Sequence, residues 1–279
     1  MAFFIKTDAS GIPYSHYGQY QGKDIGTQIS SLYVAENGLR AWNAHLRTGD
    51  EKSVLLSARW HLLLKNPEAD PADREAAEKV VGACADWLES NLVSRRDFLV
   101  WEYPYQMSFG TPPGWVSGHA QVVGLQLLAR AGRMRNFDRL LRALEVPVDD
   151  GGIAEIIAPQ TIWFEKFAHP DNRRPKVLNG HLFAVIGLFD IAGILNRSDI
   201  SELAEKGMEA ARKLMPRFDQ GNWTSYDIHG KPASEHYHGV VVKQLALLAD
   251  RAGWVEEWHN KFKRYQKPAK KNQAAASNG

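Results

Sequence analysis

Leu178-Asn179-Gly180-His181-Leu182-Phe183-Ala184-Val185-Ile186-Gly187-Leu188-Phe189-Asp190-Ile191-Ala192-Gly193-Ile194-Leu195 places apolar residues at helical spacing and predicts a helix over 178–195. Its opening, Asn179-Gly180-His181-Leu182, has two counterparts, Ser117-Gly118-His119-Ala120 and His236-Tyr237-His238-Gly239. Each opening leads into an apolar run, ending in Leu188-Phe189, Leu127-Leu128 and Leu247-Leu248 respectively. The openings recur about every 60 residues, the length that a helical hairpin with its loops requires. A circular stack of such hairpins is an α/α toroid. The predicted fold is therefore mainly all-α, a complete or incomplete α/α barrel with short β-strands in its loops. The plainer reading is that Gly-His openings only reflect close packing at helix starts.

Working outward, periodic apolar positions predict helices over 27–47, with Ile29, Leu32, Leu39, Trp42 and Leu46 broadly on one face, and over 53–65. Asp70 as a cap and Pro71 at the first helical position predict the start of the next helix, which carries Val80, Ala83, Trp87 and Leu88. Further helices are predicted over 117–131, 136–144, 200–214, 236–249 and 254–265. Strand character is confined to 98–103, 153–167 and 223–228.

Composition supports one core. The 279 residues are 44% hydrophobic and 24% charged, with a net charge of +2, globular values that exclude a disordered chain and give no ground for a nucleic-acid partner. Residues 1–267 are expected to form one domain, and 268–279 a disordered basic tail of Lys, Ala, Ser and Gly. Cys84 is the only cysteine, so no internal disulfide or cysteine-rich zinc site can form. A zinc reading of His229, His236 and His238 lacks an acidic or cysteine partner at a ligand spacing. No metal and no cofactor is assigned. The apolar residues 2–5 are too few for a secretory signal, and no run is read as a membrane span, so a cytoplasmic location is expected.

In a toroid the starts of equivalent inner helices converge on one end of the cavity, which makes His119, His181 and His238 candidate substrate contacts. Trp115, Trp163 and Trp223 offer stacking platforms for sugar rings. Arg173, Arg174 and Lys176 form a basic loop suited to an anionic polymer.

These motifs, in order, resemble the D-glucuronyl C5-epimerase family. Leu178-Asn179-Gly180 through Gly187-Leu188-Phe189-Asp190 resembles its L-N-G and S-L-I-G-L-Y-D-L. Trp163 to Phe167 is similar to its W-Y-E-E-Y, and Ser225-Tyr226-Asp227-Ile228 to its I-Y-D-L. Tyr237-His238 with Gln244-Leu245 and Leu247-Leu248 resembles Y-H-T-T-H-I-N-Q-L-Q-L-L. The resemblance runs from Trp115 to the last helix. A weaker one covers Gly11-Ile12-Pro13 and 28–39.

What the resemblance implies is an α/α toroid that inverts C5 of glucuronate units in a uronic-acid polysaccharide, with homodimerisation as in animal members. Tyr226 and Tyr237 match the family's catalytic tyrosines, and Asn179 matches an asparagine beside the site. Glu165 fills the first of two adjacent carboxylate positions, while Lys166 stands at the second, where it could bind the substrate carboxylate. His229 and Ser234 replace two arginines of the family pattern. The alternatives that remain are a uronate polysaccharide lyase, which begins with the same C5 deprotonation, and a non-catalytic glycan binder.

Overall fold

A computed structural model describes residues 4–20, 22–47 and 71–276. The chain opens with an antiparallel three-stranded sheet, β1 (Phe4–Thr7), β2 (Pro13–Tyr20) and β3 (Lys23–Gln28). Among the described residues eight α-helices follow: α1 (Ser31–Ala41), α2 (Arg74–Ser90), α3 (Gly118–Arg130), α4 (Phe137–Arg142), α5 (Leu178–Leu195), α6 (Ser198–Leu214), α7 (Glu235–Leu248) and α8 (Gly253–Ala276). Two hairpins lie between them, β4 (Val93–Arg95) with β5 (Phe98–Val100), and β6 (Ala154–Ala158) with β7 (Thr161–Phe164).

The odd-numbered helices form an inner row in which α1 packs on α3, α3 on α5 and α5 on α7. The even-numbered helices form an outer row: α2 covers α1, α4 covers α3, α6 covers α5 and α8 covers α7. This alternation is the α/α toroid expected from the sequence. Close approach within the inner row depends on small residues. A Cβ on Gly187 of α5 would stand 2.5 Å from Val122 Cγ1 of α3, so the two helices can meet at this depth only because that carbon is missing.

Three of the described helix starts carry side-chain caps. Ser117 accepts a hydrogen bond from the Ala120 amide and Ser234 from the Tyr237 amide, satisfying donors that have no intrahelical partner. Asp73, rather than Asp70, caps α2 by accepting from the Ala76 amide at 2.9 Å. Helix α1 begins four residues later than expected because Thr27 and Gln28 are claimed by β3, paired with His16 and Ser15. The helix expected over 53–65 lies outside the described residues. Helix α8 runs through Ala276; Ala, Lys and Gln are strong helix formers.

Helix α5 corrects another expectation, since its length and composition would suffice to cross a membrane. It is instead the centre of the toroid, 72% buried inside the protein and packed on α3, α6 and α7. A helix apolar on every side is either a span or a core element, and here three neighbouring helices supply the apolar surroundings. At its far end Asp190 receives Arg130 of α3 in a two-pronged pair at 2.8 and 2.9 Å, with Gln126 adding a third donor. That clamp fixes the end of the inner row remote from the site.

Candidate functional site

The four inner helices among the described residues present their N-terminal turns to one cavity of about 100 Å³. Leu32 is the second residue of α1, His119 the second of α3, Asn179 the second of α5 and Tyr237 the third of α7, and all four line it. Aligned peptide dipoles place partial positive charge at each of these ends. A cavity ringed by four such ends favours an anion.

The Gly-His openings are not equivalent. Gly118 is the first residue of α3, whereas Gly180 is the third of α5 and Gly239 the fifth of α7. An offset of two residues turns a side chain by about 200° around a helix. Accordingly His119 faces the cavity and the other two histidines do not. His181 is fully buried, its Nδ1 accepting from the Phe164 amide at 3.0 Å and its Nε2 lying 3.0 Å from the Gly207 carbonyl. Burial lowers its pKa to about 3, so it is a neutral structural bridge. His238 is buried 2.9 Å from Thr224 Oγ1 and stacks on Trp223. Neither His181 nor His238 lines the cavity, which corrects their assignment as substrate contacts.

One wall carries the tyrosine pair. Tyr226 follows the bridge at Ser225, Tyr237 comes from α7, and their rings lie 5.0 Å apart at 51°. Lys166 Nζ is 5.9 Å from the centre of each ring. Phe109 stacks on Tyr226 at 6.3 Å and continues the wall through Phe167 to Trp115.

Of the remaining wall, only Trp115 was legible in the sequence. Trp115 stacks on Tyr103 at 4.0 Å, and its indole N–H donates to the Tyr105 carbonyl at 2.8 Å. Tyr105 in turn donates to Tyr17 of β2 at 3.3 Å. Burial pushes the Tyr103 hydroxyl up to about 12 and Tyr105 well above its ordinary value, so both remain neutral hydroxyls rather than bases. One sequence signal points to this wall in retrospect, the i, i+2 spacing of Tyr103 and Tyr105.

Glu165 lies behind the cavity wall and does not line it. It is fully buried, with one carboxylate oxygen accepting from the amides of Lys166 and Phe167 and the other from Lys176. Burial raises its pKa to about 7, against the opposing effect of those amides and of the Lys176 charge. It braces the loop that carries Lys166. Its neighbour Trp163 has no exposed surface and stacks between His181 and Phe218, because β7 is buried on both faces. Trp163 is thus a core residue and not a sugar platform.

Trp223 is likewise held away from the cavity, its indole N–H donating to the Ala233 carbonyl at 2.7 Å. The basic loop is largely neutralised. Arg174 pairs with Asp149 and with Glu155, and Lys176 also reaches Glu155 at 3.5 Å. Arg173 is exposed and, like Arg174, does not line the cavity. Among the described residues no three His, Cys, Asp or Glu side chains come together as a metal site would require.

Comparison with known proteins bears on this arrangement. The family described as the D-glucuronyl C5-epimerase C-terminus matches residues 95–267. An uncharacterized protein of Methanocaldococcus jannaschii is 26% identical over 255 residues, covering 87% of this chain and 78% of that protein. The D-glucuronyl C5-epimerase of Caenorhabditis elegans is 29% identical over 258 residues, covering 81% of this chain. This chain spans only 40% of the nematode enzyme's length. Among solved structures, the unsaturated glucuronyl hydrolase of Bacillus sp. GL1 matches with a TM-score of 0.41 at 15% identity, over 74% of this chain and 57% of that one. Running from the β4–β5 hairpin into α8, and taking in Trp115, Lys166, Asn179, Tyr226 and Tyr237, the match shows that this chain belongs to the D-glucuronyl C5-epimerase C-terminus family.

Proposed function

We propose that the protein inverts C5 of glucuronate units in a uronic-acid polysaccharide or its precursor, with Tyr226 and Tyr237 as the proton-transferring pair. The observation that carries this reading is the 5.0 Å pairing of the two tyrosine rings beside Lys166, at the meeting point of four helix N-termini. The C5 hydrogen stands next to a carboxylate and is very weakly acidic. Its removal builds a second negative charge on the carboxylate oxygens, which the site must stabilise.

Lys166 and the converging helix ends supply positive potential for that purpose. One tyrosine, as its phenolate, takes the C5 proton from one face of the sugar. The other donates its hydroxyl proton to the opposite face, and the phenol and phenolate have then exchanged places. The sugar ring must therefore sit with C5 between the two hydroxyls. The aromatic wall from Phe167 through Trp115 to Tyr103 offers flat apolar faces to neighbouring sugar units.

The test is C5 hydrogen exchange in deuterated water on uronate oligosaccharides. Deuterium incorporation without chain cleavage supports the epimerase. Formation of an unsaturated chromophore would instead identify a lyase, which expels the C4 substituent after the same deprotonation. Binding with neither outcome would identify a glycan-binding protein.

A further inference from the structure

His119 and Asn179 occupy the same position, the second residue, on the adjacent inner helices α3 and α5. Each is 2% exposed and lines the cavity. Among the described residues, neither ring nitrogen of His119 and neither amide atom of Asn179 has a hydrogen-bond partner. Four buried polar atoms in one cavity are thus unsatisfied, a costly arrangement that native proteins keep where a ligand completes it. His181, by contrast, is engaged on both sides of its ring, and the other unpaired buried atoms nearby, Trp163 Nε1, His238 Nε2 and Gln244 Oε1, belong to side chains that do not line the cavity.

The imidazole is held by a residue of the helix that carries Asn179. Phe183 lies one turn beyond Asn179 on the same face of α5 and stacks flat on the His119 imidazole, at 4.3 Å and 9°. The ring plane is thereby fixed, and both nitrogens are presented edge-on.

The chemistry of these atoms selects the ligand. Burial, and secondarily the nearby Lys166 charge, holds the His119 pKa well below its ordinary value, so the ring is neutral. A neutral imidazole offers one N–H donor and one acceptor nitrogen, and the Asn179 amide likewise offers both donor and acceptor. A carboxylate only accepts, and would leave the imidazole acceptor and the amide oxygen unpaired. A hydroxyl both donates and accepts, and two neighbouring hydroxyls can satisfy both side chains.

We propose that His119 and Asn179 form a hydroxyl-binding floor that grips the vicinal ring hydroxyls of the bound uronate, leaving its carboxylate to Lys166. This assignment rests on the sugar substrate proposed above. It gives the site two separate recognition elements, a neutral one for the diol and a cationic one for the acid.

The experiment compares binding of a glucuronate oligosaccharide with that of the same compound lacking the uronate ring hydroxyls, by calorimetry. The wild type is expected to prefer the hydroxylated ligand about tenfold or more. His119→Met, which keeps the bulk but removes both ring nitrogens, should abolish the preference by weakening the hydroxylated ligand alone. His119→Gln should restore part of it.

Because His119→Met also removes unsatisfied buried atoms, its melting temperature should equal or exceed that of the wild type. A wild type without preference, a His119→Met variant that keeps it, or a fall of several degrees in melting temperature would each overturn the proposal. C5 exchange is followed in parallel. Hydroxyl-dependent binding without exchange would support this floor and remove the epimerase reading; exchange without hydroxyl preference would do the reverse.

Discussion

The side chain of Lys166 crosses directly over Gly180, where an added Cβ would stand 2.6 Å from Lys166 Cδ and 2.8 Å from its Cβ. The glycine of the Asn179-Gly180-His181 opening thus provides the passage by which the lysine reaches the cavity. Gly118 plays the matching part for the other helix start, with Glu165 O 3.1 Å from where its Cβ would be and its amide donating to that oxygen at 2.9 Å. Both glycines are close-packing devices against residues 164–166, which is the plainer reading of the motif. Lys166 is what that packing delivers.

Gly180→Ala should therefore disturb the chemistry as well as cost some stability, since Lys166 Cβ cannot swing aside as its outer stem can. The lysine stem must shift, and C5 exchange is expected to fall tenfold or more, as a misplaced group at a reacting centre does. Adding Lys166→Ala to Gly180→Ala should cause no further loss. Multiplying losses in the double variant, measured by deuterium incorporation, would show that the two positions act independently.

Tyr226→Phe and Tyr237→Phe should each reduce C5 exchange by about a hundredfold or more, the usual contribution of a general acid or base. Each removes one hydroxyl and keeps the ring that packs against its neighbour. Thermal unfolding should consequently move little. Wild-type exchange in either variant would end its assignment.

Lys166→Ala should weaken binding of a uronate oligosaccharide and flatten the dependence of that binding on ionic strength. Its ammonium is the only cationic side-chain group among the described residues that line the cavity, and such attraction is screened by salt. An unchanged salt dependence in calorimetric titrations would place the carboxylate elsewhere.

Glu165 gives a pH signature. Its folded pKa of about 7 lies above the ordinary 4.5, so its protonated form is the one that folding favours. The associated stability is complete below about pH 4.5 and is lost as pH rises through 7, by roughly 3 kcal/mol in all. Denaturant unfolding of wild type and Glu165→Gln between pH 4.5 and 8 should show that extra slope in the wild type only. Parallel curves would mean that the carboxyl is not titrating over this range.

Arg173→Ala and Arg174→Ala should leave uronate binding unchanged. Arg174 is engaged with Asp149 and Glu155, and its loss should cost about 1 kcal/mol of stability or less. A tenfold weaker affinity in the double variant would return this loop to the binding surface.

Helix-forming stretches were well marked in the sequence, since tertiary packing reinforces an apolar period there. The bounds of α5 coincide with those expected, and α3 falls within one residue of its expectation at each end. The first sheet was obscured because β2 buries Pro13 and Ser15 alongside Tyr17, residues that do not register as an apolar alternation. The meeting of Tyr226, Tyr237, Lys166 and Asn179 was reached through family resemblance, not periodicity. Trp163 and His181 were misjudged for one reason: residue type announces an aromatic or a histidine, but only the turn of the helix or the burial of both strand faces decides which way it looks.

The cavity draws its lining from Tyr17 at one extreme and Tyr237 at the other, so nearly the whole chain must be in place before it exists. Helical hairpins form from contacts local in sequence, whereas docking the N-terminal sheet against Trp115 and Tyr103 closes a loop of about a hundred residues and is slow by comparison. During refolding from denaturant, far-ultraviolet circular dichroism should thus recover ahead of ligand binding. The interval between the two signals would time the arrival of Tyr17.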